Sequence, residues 1–99
     1  MSISLNKAFN LEKVEGSFGK NLISLPIKPY YPGASGLMDD IGDNCIAVNR
    51  WNSATQKSEG WIFEEGLGEF GVNFQLNEGE GYEVVVTQNT EWTLVGVAP

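Results

Sequence analysis

Between Asn21 and Val97 the chain is a series of short apolar-alternating runs, broken at close intervals by polar, glycine-bearing segments. A period of two puts successive side chains on opposite faces of an extended strand, and runs this short cannot supply the long helices of a bundle. The first is Asn21-Leu22-Ile23-Ser24-Leu25-Pro26-Ile27, with Ile23, Leu25 and Ile27 in phase. Pro26 has no N–H to give a ladder, so this strand is an edge, or it ends or bulges there. Cys45 to Trp51 follows, with Ile46, Val48 and Arg50 on one face and Cys45, Ala47, Asn49 and Trp51 on the other. Gly60 to Glu64, Gly71 to Leu76, Tyr82 to Thr87 and Glu91 to Val97 complete the strong runs, and Phe9 to Val14 is a weaker one. Gln88-Asn89-Thr90 is short enough to close a hairpin between the last two.

The remaining segments read as connections. Asn52 to Gly60 and Asn77 to Gly81 are turn-forming, and Gly66, Gly68 and Gly71 break Glu64 to Gly71 into a loop. Pro29-Tyr30-Tyr31-Pro32-Gly33 cannot continue a ladder and reads as a corner. Ser35 to Gly42 differs: Ser35 suits an N-cap, Leu37, Met38 and Ile41 share a helical face, and Gly42 stands past the end. Ninety-nine residues, 41% of them apolar, suit one packed core. The expectation is a single mainly all-β domain over residues 1–99, an antiparallel sandwich or small barrel of six or seven strands, with one short helix near 35–42.

Charge and residue choice narrow the function. Six basic residues against thirteen acidic ones give a formal charge of −7, and the basic ones are scattered singly. Such a surface repels phosphate backbones and anionic lipid, so neither nucleic acid nor membrane is an expected partner. No apolar run is long enough to span a bilayer. Met1 to Lys7 has neither a charged n-region nor a long apolar h-region, so no signal peptide is expected in this chain.

There is no histidine, which removes the commonest general base and metal ligand together. Cys45 is the only cysteine; it lies in a strand run and reads as a buried, inert thiol. The serines have no histidine partner and no Ser-x-x-Lys pairing. Adjacent Glu64 and Glu65 would point opposite ways on a strand end, which does not suit paired carboxylate catalysis, and Glu69 lies with them beside a solvated loop. Gly66-x-Gly68 and Gly79-x-Gly81 sit between strands rather than opening helices, so they are not phosphate turns. Asp39-Asp40-Ile41-Gly42-Asp43-Asn44 offers oxygen ligands of the kind calcium takes, but its spacing is not that of an EF-hand, and a helix end followed by a turn explains it equally well. No enzyme, cofactor or metal is expected. Aromatic faces are the remaining contact candidates, because flat apolar rings stack on sugars and proline-rich peptides. Tyr30, Tyr31, Trp51 and Trp61 are those candidates, whereas Trp92 reads as packed inward.

The order of these segments resembles a β module that recurs in bacterial secreted and cell-surface multidomain proteins. The likeness rests on Asn21-Leu22-Ile23-Ser24-Leu25-Pro26, the helix closing in Asp40-Ile41-Gly42, Arg50 to Gln56, Phe74 to Tyr82 with its Gly-x-Gly-Tyr turn, and a closing hairpin. It implies an antiparallel β fold, a non-catalytic role and an extracytoplasmic location, and it carries no catalytic residues. The expected function is a non-catalytic binding or protein-interaction module. Its partner is a protein or a second copy of itself, with pairing through an edge near Leu22 to Ile27 as the simplest form. The alternative is a small-ligand or carbohydrate-binding domain using exposed aromatics.

Overall fold

The alternating runs do form strands, and these divide between two sheets. The computed structural model describes residues 4–13, 19–77 and 80–97. In chain order the elements are β1 (Ser4–Leu11), β2 (Gly19–Ser24), β3 (Lys28–Pro29), α1 (Ala34–Ile41), β4 (Cys45–Asn52), β5 (Lys57–Glu64), β6 (Gly68–Gly71), β7 (Gly81–Val86) and β8 (Thr90–Val97). The smaller sheet has the order β1-β8-β3 and the larger β2-β7-β4-β5-β6, with antiparallel pairing throughout. The sheets do not close on each other, so the architecture is sandwich-like rather than a barrel. The eight strands among the described residues exceed the six or seven expected, because β3 and β6 form where a corner and a loop were expected, while the expected Gly71 to Leu76 strand does not form.

The core lies between the sheets and under the helix. Tyr82, Val84 and Val86 of β7 meet Trp92 and Leu94 of β8, with Val48, Ile23 and Leu11 beside them. Helix α1 packs on β4 and β8 through Leu37, Met38 and Ile41. The helix occurs where expected, but its cap differs. Gly33 is the N-cap residue and makes no side-chain cap bond. The end is closed from a distance by Asn73, whose Oδ1 accepts from the Ser35 N–H at 2.9 Å and whose Nδ2 donates to Ser35 Oγ at 3.0 Å.

Three connections depart from expectation. Tyr82 to Thr87 and Glu91 to Val97 form no hairpin: β7 and β8 belong to different sheets, and residues 87–89 arch between them. Asn44 secures that arch, its Nδ2 donating to Thr90 Oγ1 at 3.0 Å, its Oδ1 accepting from Gln88 Nε2 at 2.7 Å and its carbonyl accepting from the Thr87 N–H at 2.8 Å. Glu64 to Gly71 is not an open loop but a tight turn into β6, reached through positive φ at Gly66 (91°) and Gly68 (80°). Val72 to Leu76 makes only an isolated bridge, Gly33 to Gln75. Phe74 and Leu76 still alternate inward there, because period two reports burial and not the presence of a ladder.

β2 does lie at an edge of the larger sheet and stops at Ser24, just before Pro26. Leu25 and Ile27 beyond it are buried as the chain crosses to the smaller sheet. Of the weaker run Phe9 to Val14, the described residues up to Leu11 belong to β1, and Val14 lies outside the described residues.

Candidate functional site

The larger sheet has an outer face whose composition can be read from its register. Tyr82, Val84 and Val86 point into the core, so Gly81, Glu83 and Val85 belong to the opposite face. A bulge between Cys45 and Ala47 shifts the phase of β4. Cys45 and Val48 therefore both point inward, which corrects the expected placement of Cys45 with Ala47, Asn49 and Trp51. The outward residues of β4 are Ala47, Asn49 and Trp51.

Two rows cross this face. In one, Lys20 pairs with Val85, Val85 with Ala47, Ala47 with Ile62 and Ile62 with Phe70. Beyond Lys20 this row is apolar from β7 to β6, and Ile62 and Phe70 are 36% and 40% exposed. Val85 is buried yet stands outside the core cluster, so its neighbours on the outer face cover it. In the other row Leu22 pairs with Glu83, Glu83 with Asn49 and Asn49 with Gly60. Asn49 Nδ2 donates to Glu83 Oε1 at 3.1 Å and holds both polar groups at the surface.

Next to the second row, Trp51 stands opposite Ser58. Trp51 and Leu22 are 59% and 85% exposed and flank a groove of about 340 Å³ that Asn49, Ser58, Gly81 and Glu83 also line. Gly81 keeps it open: a Cβ there would meet nothing closer than the Ile23 carbonyl oxygen at 4.0 Å.

The other aromatic candidates lie elsewhere. Tyr31 is half-buried against the core and donates through its hydroxyl to Asp40 Oδ2 at 3.0 Å. Burial, followed by the Asp40 charge and the hydrogen bond to it, raises the pKa of that phenol well above the ordinary tyrosine range. Tyr30 is exposed on the corner before the helix. Trp61 packs partly against the core and donates through Nε1 to Glu69 Oε1 at 3.1 Å. Of the four, Trp51 is the one that borders the groove, and the structure does not gather them into a single patch.

A second cleft, of about 280 Å³, lies between the end of α1 and the β5–β6 hairpin, lined by Met38, Asp39, Asp43, Cys45, Phe63 and Glu69. Among the described residues no group of three His, Cys, Asp or Glu side chains is placed to hold a metal ion. In the acidic stretch, Asp40 faces Tyr31 and Trp92 while Asn44 is engaged in the arch. Cys45 is buried, and burial pushes its thiol up to about 11, which keeps it protonated at neutral pH.

No family model matches the chain, and no curated protein or solved structure does either.

The outer face was only partly legible in the sequence. The placement of Ala47, Asn49 and Trp51 together follows from alternation alone. Leu22, Gly81 and Glu83 lie far from them in the chain and reach the groove only through the β2–β7–β4 pairing.

Proposed function

We propose that this chain is a non-catalytic protein-interaction module that pairs with a second copy of itself through the outer face of its larger sheet. The observation that carries this reading is the row Val85, Ala47, Ile62 and Phe70, apolar side chains in direct cross-strand register on a face turned away from the core. The outer face of a sandwich is normally the polar half of the alternation, so an apolar row there favours a covered surface. A two-fold contact would set one row against its counterpart at the sheet-to-sheet spacing of about 10 Å.

The larger sheet's face is preferred to its β2 edge, a short strand of six residues, Gly19–Ser24, that carries Lys20. Each copy carries a formal charge of −7, so repulsion opposes pairing and added salt should strengthen it. Light scattering over a concentration series at low and high salt tests this. The expected result is a dimer whose population grows with salt and which Phe70→Lys converts to a monomer with an unchanged circular dichroism spectrum. A strict monomer at every concentration and salt level would overturn the reading.

A further inference from the structure

We infer that the groove beside Trp51 is a subsite for one pyranose ring of a neutral carbohydrate. This goes beyond the self-association reading and does not depend on it. The groove occupies the Leu22–Glu83–Asn49 row and the Trp51–Ser58 pair, on the same face as the row that carries self-association and two and four residues along the strands from it.

Three properties of the groove select the ligand. The first is an apolar wall: the indole of Trp51 offers a flat face on which the C–H side of a sugar ring can stack, with Leu22 on the other side. The second is a set of hydroxyl partners at the same level. Glu83 presents a carboxylate with one oxygen held by Asn49 Nδ2 and a second acceptor oxygen, and Ser58 can donate or accept. The third is space, which Gly81 supplies by having no side chain where its neighbours in phase, Glu83 and Val85, carry one.

Size and charge narrow the choice of occupant. A volume of about 340 Å³ falls near the lower end of the range for small-ligand sites, roughly 300–1,000 Å³, and is matched to a ring rather than a folded element. Arg50 also lines the groove, but its guanidinium is paired with Glu59 at 2.8 Å and Glu80 at 3.8 Å, so the Glu83 carboxylate and the formal charge of −7 disfavour sulfated, phosphorylated and uronic acid sugars. A carbohydrate that presents neutral rings therefore fits best.

The test is a titration of the whole chain with cello-, malto-, manno- and chito-oligosaccharides, read by tryptophan fluorescence and calorimetry. At least one series should saturate below roughly 10 mM, as a weak site with a dissociation constant of about 1 mM would. Trp51→Ala should weaken binding about tenfold or more. Gly81→Val should abolish it while leaving the melting temperature within about 2 °C, because the substitution enters open space in a strand and suits β structure. Phe70→Lys, which disrupts the proposed pairing on the same face, should bind sugar at least as tightly as the unmodified chain. A flat response to every glycan, binding that survives both Trp51→Ala and Gly81→Val, or saturation by a proline-rich peptide in place of the sugars would overturn the assignment.

Discussion

The indole Nε1 of Trp92 donates to Oδ2 of Asp40 at 2.8 Å, tying the helix to the central strand of the smaller sheet. The same carboxylate oxygen accepts the Tyr31 hydroxyl at 3.0 Å, so one side chain joins the corner, α1 and β8. Trp92 is buried and stacked on Phe9 with ring centroids 5.0 Å apart, while Asp40 is exposed, so the bond lies at the margin of the core.

Asp40→Ala should therefore destabilise the fold by about 1–2 kcal/mol, the net worth of the two hydrogen bonds it removes. Asp40→Asn keeps an acceptor oxygen and should lose less. Urea denaturation of the two variants checks the order; equal stability of Asp40→Ala and the parent chain would contradict it.

Tyr82 fastens the turn that precedes β7. Its ring stacks on Phe74 with centroids 5.8 Å apart, and its hydroxyl accepts from the Asn77 N–H at 2.7 Å. This resembles a tyrosine corner, in which a phenol holds backbone a few residues upstream. Tyr82→Phe keeps the stacking and removes only the hydroxyl, so a loss of about 1–2 kcal/mol measures the bond alone. Hydrogen exchange should quicken at the Asn77 amide in that variant.

The helix cap supplied by Asn73 gives a separate test. Asn73→Ala should cost about 1 kcal/mol, as removal of a side-chain cap usually does. Asn73→Asp keeps the oxygen facing the Ser35 N–H and places negative charge at the helix start, and should retain most of the stability. A Cβ at Gly33 would come within 2.7 Å of Asn73 Oδ1, so Gly33→Ala should disturb the same contact. Thermal melts of the three variants report the order.

Alkaline pH should unfold the protein through groups that the fold keeps protonated. The Cys45 pKa rises from 9.0 to about 11 on burial, so the folded state holds that proton more tightly than the unfolded chain. Its stabilising contribution is complete below pH 9.0 and is lost as pH rises toward about 11. Tyr31 and Tyr82 shift in the same direction, chiefly through burial, and extend the loss to higher pH. Chemical denaturation at a series of pH values should show this slope, shallower in Cys45→Ala. At pH 8 a thiol reagent should react with Cys45 far more slowly than with a free thiol.

Much of the fold was present in local pattern. The alternation in Glu91 to Val97 becomes β8 with Trp92 and Leu94 inward, and Leu37, Met38 and Ile41 turn their shared face to the core as α1. Pro26 stands just beyond Ser24, where the edge strand stops pairing. The arch at 87–89 was hidden because a three-residue connection suits a hairpin equally well, and the choice depends on Asn44, more than forty residues away in the chain. The phase of Cys45 was hidden for a related reason: a bulge adds one residue to one strand, and only the partner strand reveals it.

The candidate site divides the same way. Sequence alone determined that the protein is acidic, has no histidine and is built of short alternating strands, because charge, composition and side-chain period are local properties of the chain. Tertiary structure alone decided that Trp51 borders a groove with Leu22, Gly81 and Glu83, and that Ile62 and Phe70 continue an apolar row from Val85. The physical reason is that alternation tells each strand which residues share a face, while the partners across that face are set by long-range pairing, whose register is established only when the whole sheet closes over its core.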